Sequence, residues 1–200
     1  MTVYYDGSIS LPKGVGTYAI TFNVAKADGW NAVTGLSGGT LTVIPPVEPV
    51  DSLEEAAVFL SEADGGESAE DAVCLLVKID LEDMTDDASG WQQLLDAIAD
   101  ADKFITLDLS LCEMDGTEFD PVSSISTGKD KIVSITLPAA VESIASGSSS
   151  NPTFKNFDNL ETVNGAYATS IGGVAFLYCS SLTEASMIKV KLFPKEYFFF

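Results

Sequence analysis

A chain of 200 residues that is 46% hydrophobic has the length for one or two domains and the apolar content for a packed core. Thirty acidic residues stand against ten basic ones, all lysine. The absence of histidine and arginine excludes Ser-His-Asp and Cys-His nucleophile systems and any histidine-ligated zinc site, and a net charge of −20 opposes nucleic acid as a partner.

Met1 to Asp6 has neither a basic n-region nor an apolar h-region, so no signal peptide is expected in this chain. No apolar run reaches the roughly 18 residues of a membrane-spanning helix. Residues 1–44 read as β structure. Val3 to Tyr5 is a first strand closed by the turn pair Asp6-Gly7. Tyr18, Ile20, Phe22 and Val24 then alternate with Thr17, Ala19, Thr21 and Asn23, the period-two pattern of a strand with one apolar face. Leu41 and Val43 form a shorter strand after a turn at Gly35, Gly38 and Gly39. Three strands fall short of a full β-sandwich. The unmatched apolar face is expected to drive self-association through residues 1–44.

The phrases Tyr5-Asp6-Gly7, Gly16-Thr17-Tyr18-Ala19-Ile20-Thr21-Phe22, Gly29-Trp30-Asn31-Ala32 and Leu41-Thr42-Val43 resemble the end of an MBG-type module. Such modules are immunoglobulin-like repeats of bacterial surface proteins, so the resemblance implies a partial all-β module over 1–44. Residues 45–51, with Pro45-Pro46-Val47-Glu48-Pro49, read as a stiff proline-rich linker.

Over 52–103 the pattern predicts an α/β cap. Ser52 with Glu55, and Ser89 with Gln92, have capping-box spacing. Leu53, Ala56, Ala57 and Leu60 make one helical stripe, and Trp91, Leu94, Leu95 and Ile98 another. Between them Val73 to Ile79 reads as a continuously buried strand. Asp80, Glu82, Asp83, Asp86 and Asp87 could hold calcium, but they lack the spacing and the glycine of a calcium-binding loop, so a solvated acidic loop is expected. Glu113 to Glu118 is read the same way.

From Phe104 a repeat begins. Phe104-x-x-Leu107-x-Leu109-x-x-Cys112-x-Met114 fits the leucine-rich pattern with apolar stand-ins. It restarts at Ile132-x-x-Ile135-x-Leu137, at Leu160-x-x-Val163 and at Leu182-x-x-Ala185-x-Met187. The steps from Leu107 to Ile135, Val163 and Ala185 are 28, 28 and 22 residues. Phe154, Phe157 and Leu160 recur as Phe176, Cys179 and Leu182. This spacing predicts parallel strands centred on those four residues, with the phenylalanines in a column. Gly147 to Pro152 interrupts the pattern with a polar loop, and Gly165 replaces a strand leucine. Residues 188–200 form an atypical lysine- and aromatic-rich tail, consistent with a truncated gene product. Cys74, Cys112 and Cys179 are odd in number and far apart, and are read as buried thiols with no disulfide framework.

Ser134-Ile135-Thr136-Leu137-Pro138 with Ala139-Ala140-Val141-Glu142-Ser143-Ile144, and Ser170-Ile171-Gly172-Gly173-Val174-Ala175-Phe176 with Leu177-Tyr178-Cys179-Ser180-Ser181-Leu182, resemble BspA-like leucine-rich repeats over 104–187. The fold expected is an α/β leucine-rich-repeat solenoid with a helical N-terminal cap, preceded by the partial β module. The resemblance implies a bacterial protein that is cell-surface or secreted, adheres to a host or bacterial surface protein or glycan, and is not an enzyme. A structural stalk is the alternative.

Twenty-two of the thirty acids lie between Glu48 and Asp120, whereas 121–187 is rich in Ser, Thr and Asn. Strand alternation sends the residues between the leucine positions outward. The predicted ligand face is therefore Thr106, Asp108 and Ser110, then Ser134 and Thr136, Thr162 and Asn164, and Glu184 and Ser186. No pair of acids is placed across a cleft for glycosidase chemistry, and no catalytic residue, cofactor or metal ligand is expected.

Overall fold

The computed structural model describes residues 1–12, 16–43, 48–122 and 127–187. The expected tail, 188–200, and residues 45–47 of the expected linker lie outside the described residues. The chain divides into two units, Met1–Pro46 and Val47–Phe200.

The first unit is one antiparallel sheet in the order β1 (Thr2–Tyr5), β2 (Gly16–Val24), β3 (Val33–Val43). Alternation builds its faces. Val3 and Leu36 stand opposite Phe22, and Tyr5 stands opposite Ile20, so the apolar residues share one side. The other side is polar: Asn23 donates from Nδ2 to the Tyr4 hydroxyl at 3.2 Å. The Asp6 carboxylate accepts from the Ala19 amide at 2.7 Å and holds the first turn.

The third strand corrects the expectation of a glycine turn before a short strand, because β3 runs straight through Gly35, Gly38 and Gly39. The pairing shifts between Ile20 and Thr21, where Gly39 has φ 97° and a Cβ on Gly38 would stand 3.0 Å from Ile20 Cγ2. The glycines serve a β-bulge, which needs a positive φ and a close backbone approach. The turn lies at Ala27–Trp30 instead.

In the second unit α1 (Leu53–Glu62) starts at Ser52, whose side chain accepts from the Glu55 amide, and the Glu55 carboxylate accepts from the Asp51 amide. α2 (Gly90–Ala101) starts at Ser89, whose side chain accepts from the Gln92 amide, and stops where Asp102 turns left-handed at φ 53°. Ala56 and Leu60 of α1 and Trp91, Leu94, Leu95 and Ile98 of α2 are fully buried. Of the predicted α1 stripe, Ala57 is exposed and Leu53 half-buried.

Five short strands form a parallel sheet in the order β4 (Val73–Leu76), β5 (Ile105–Asp108), β7 (Ile132–Thr136), β9 (Thr162–Asn164), β11 (Glu184–Ser186). Leu107, Ile135, Val163 and Ala185 stand in register across it, as the repeat spacing predicts, and Leu75 extends the row. A second parallel sheet joins β6 (Glu118–Phe119), β8 (Ser143–Ile144) and β10 (Ser170–Ile171). The buried cluster includes an aromatic run. Phe119 stacks on Phe154 at 5.7 Å and Phe154 on Phe176 at 4.7 Å, with Trp91 edge-on to Phe119 and Phe157 edge-on to Phe154.

The expected fold class, an α/β leucine-rich-repeat solenoid, is corrected. Among the described residues the chain is a mixed α/β fold with two α-helices, one antiparallel three-stranded sheet and two parallel sheets, and the helical content is low. Both helices precede β5. Among the described residues, the return segments after β5 hold no α-helix, because Pro138, Pro152, the glycines at 147, 165, 172 and 173 and the serine run at 148–150 break helical geometry. The strand Val73–Ile79 is corrected too. β4 stops at Leu76, and Val73, Leu75 and Val77 are buried while Cys74 and Lys78 are exposed. Its far edge is covered by Val50, which accepts from Lys78 and donates to Leu76.

Candidate functional site

The outward face of the parallel sheet is the candidate site. Inward residues Ile105, Leu107, Ile135 and Val163 are fully buried, which sends their neighbours outward. In-register pairing then sorts the outward residues into two rows, with about 4.8 Å between strands. The first row is Cys74, Thr106, Ser134, Thr162, Glu184. The second is Leu76, Asp108, Thr136, Asn164, Ser186. Eight of the nine predicted site residues are thus brought together. Thr106, Asp108, Ser134, Thr136 and Thr162 are half-buried, and Asn164, Glu184 and Ser186 are exposed. Ser110 is the exception. It sits in the turn after β5, where its amide donates to Asp108 Oδ1 at 2.9 Å. That bond fixes both the turn and the carboxylate.

Cys74, Leu76, Phe104 and Lys131 of this face escaped the sequence reading. Cys74 was expected to be buried but is exposed at the head of the first row, while Cys112 and Cys179 are buried. A thiol inside an apolar run gives no signal of its own; only its register partner Thr106 reveals the side it takes. Phe104, one residue before β5, belongs outward by alternation with buried Ile105. Lys131 lies over its ring at 5.0 Å and pairs with Asp102 at 2.5 Å. This ring is an aromatic surface beside the rows, screened by an ammonium.

Elsewhere the ionisable groups serve the fold. In the acidic loop Asp80 accepts from the Glu82 amide at 2.9 Å, Asp86 from Ala88 at 2.8 Å, and Glu82 from the first amide of α2 at 2.9 Å. Asp83 accepts from both the hydroxyl and the amide of Thr85, which hold its carboxyl below the usual range. Among the described residues no group of three or more acids or cysteines is arranged to hold a metal ion. Cys112 and Cys179 donate to the Val77 and Phe154 carbonyls, and burial pushes these thiols up to about 11 and about 12. They are poor nucleophiles at neutral pH. Lys129 is buried with its ammonium donating to the Pro121 carbonyl at 2.8 Å; burial pulls its amine down to about 8, with Asp120 opposing. A shallow groove of about 370 Å³ between α1 and α2 is floored by Ala57, Ala97 and Ala101 and rimmed by Asp96 and Asp100.

No helix among the described residues is long and apolar enough to cross a membrane. No family model, no curated protein and no solved structure matches the chain.

Proposed function

We propose that the chain is a non-enzymatic binding module whose contact surface is the outward face of the parallel sheet. The observation that carries this reading is the pair of in-register rows, Thr106-Ser134-Thr162-Glu184 and Asp108-Thr136-Asn164-Ser186. Short hydroxyl and amide side chains at a regular spacing can hydrogen-bond sugar hydroxyls or an extended peptide backbone, and they lose little rotamer entropy on doing so. The resemblance of the repeat phrases to bacterial surface proteins supports a partner that is a host or bacterial surface protein or glycan, met at the cell surface or after secretion. Its charge argues against nucleic acid.

Each such contact is weak, so useful avidity requires many copies acting together. The test displays the full chain on beads against immobilised neutral glycans and matrix proteins, beside the double variant Thr136→Lys, Asn164→Lys. Both sites are on the face, where lysine replaces a short hydrogen-bonding group with a long charged one. Capture that falls at least about tenfold, or 1.4 kcal/mol, is expected. Equal capture by a folded variant overturns the reading. The second reading, a structural spacer, is favoured by the use of Asp108 in its own turn; it predicts no capture on any surface.

A further inference from the structure

The first unit presents a surface that its own residues do not cover. Val3, Tyr5, Ile20, Phe22, Leu36 and Leu41 share one side of the β1–β2–β3 sheet, and none is buried. Leu36 is 37% exposed although it stands directly opposite Phe22. None of the residues of the buried cluster comes from this unit. Three strands gain independent stability only when an apolar face is packed against something.

We propose that this face packs against the same face of a second copy of the chain. Charge permits a copy to meet there. Residues 1–46 hold two acids, Asp6 and Asp28, and two lysines, Lys13 and Lys26, so the whole net charge of −20 falls on the remainder. Two copies approaching through residues 48–120, which hold 22 acids and two lysines, bring strong like charge together, whereas these sheets meet neutral to neutral.

Area sets the strength. A nine-residue central strand flanked by two others covers roughly 30 Å by 14 Å. Two such faces bury on the order of 1,000 Å² together, the lower limit of specific interfaces. The dimer is therefore weak and reversible, with a Kd on the order of 10 to 1,000 µM. The packing is sheet on sheet, about 10 Å apart with strands within about 30°.

Sedimentation equilibrium of the full chain from about 5 to about 500 µM should show a monomer–dimer equilibrium. The dimer should tighten with added salt, which screens the repulsion between the two acidic remainders. Ile20→Lys and Leu36→Lys should each weaken it at least about tenfold, and Ala19→Lys, exposed on the opposite face, should leave it unchanged. An arm that needs no variant uses an equal mixture of isotope-labelled and unlabelled chain, in which intermolecular contacts should involve the Phe22 ring. The proposal is overturned by a chain monomeric at the highest concentration in high salt, by a dimer indifferent to both face variants, or by intermolecular contacts confined to other surfaces.

Discussion

Lys129 is a residue the fold keeps at a cost. The residue is 3% exposed, and among the described residues its ammonium donates to the Pro121 carbonyl, with Asp120 the largest opposing charge. Burial lowers its folded pKa to about 8, so between that value and 10.5 the unfolded chain binds more protons than the folded one. Its destabilising effect is complete below about pH 8 and is lifted as pH rises towards 10.5. Lys129→Met removes the buried charge but leaves the Pro121 carbonyl without a donor. Charge burial outweighs one hydrogen bond here, so the variant should be more stable at pH 7 by about 1 kcal/mol. That advantage should shrink towards pH 10. Urea titrations of both proteins across this range check it; a difference independent of pH would show that the lysine is not the titrating group. Cys112 and Cys179 act in the opposite sense. Their folded pKa values are raised, so the stability they contribute is present below about pH 9 and lost above it. Taking the difference between wild type and variant cancels them.

At the scale of elements, α2 depends on how its first turn meets the loop before it. Ser89 caps the helix and Glu82 accepts from the Gly90 amide. A Cβ on Gly90 would collide with the Asp80 carbonyl oxygen, which is backbone and has no rotamer to escape into. Gly90→Ala should therefore cost about 2–4 kcal/mol, despite alanine's better helix propensity. Gly173→Ala is the control, because a Cβ there meets nothing within 4 Å; it should change stability by no more than about 0.5 kcal/mol. Thermal melts of the pair decide the matter, and equal melts would mean that the loop yields at Asp80. The serine caps of both helices and the apolar stripe of α2 were legible in the sequence because caps and helical period are local. The bulge at Gly38 was not, because glycines mark turns and bulges alike. Only the pairing of β3 with β2 shows which one they make.

Across the whole molecule, stability is divided unequally. None of the described residues of the first unit is buried, whereas the second unit holds the hydrophobic cluster and the aromatic run from Trp91 to Phe176. Amides of β1, β2 and β3 should exchange with solvent orders of magnitude faster than those of β5 and β7 in dilute, monomeric protein. Hydrogen-exchange mass spectrometry at low micromolar concentration checks this, and equal protection in the two units would require a cover for the first sheet within a single chain. The net charge of −20 adds self-repulsion to the folded state, so moderate salt should raise the melting temperature of the second unit.

By itself the sequence determined what depends on residue type and local spacing. These were the absence of histidine chemistry, the two capped helices, the alternating strand of the first unit, and the register that aligns Leu107, Ile135, Val163 and Ala185. The tertiary structure decided what depends on partners far along the chain. Pairing between β4 and β5 turned Cys74 outward from an apolar run, and the ring of Phe104 met Lys131 beside the polar rows. The return segments took up turns and a second parallel sheet in place of regular repeat geometry. A periodic pattern specifies which residues face inward. It leaves open how the chain travels back between strands, because prolines, glycines and serines there exclude helix without prescribing any one alternative.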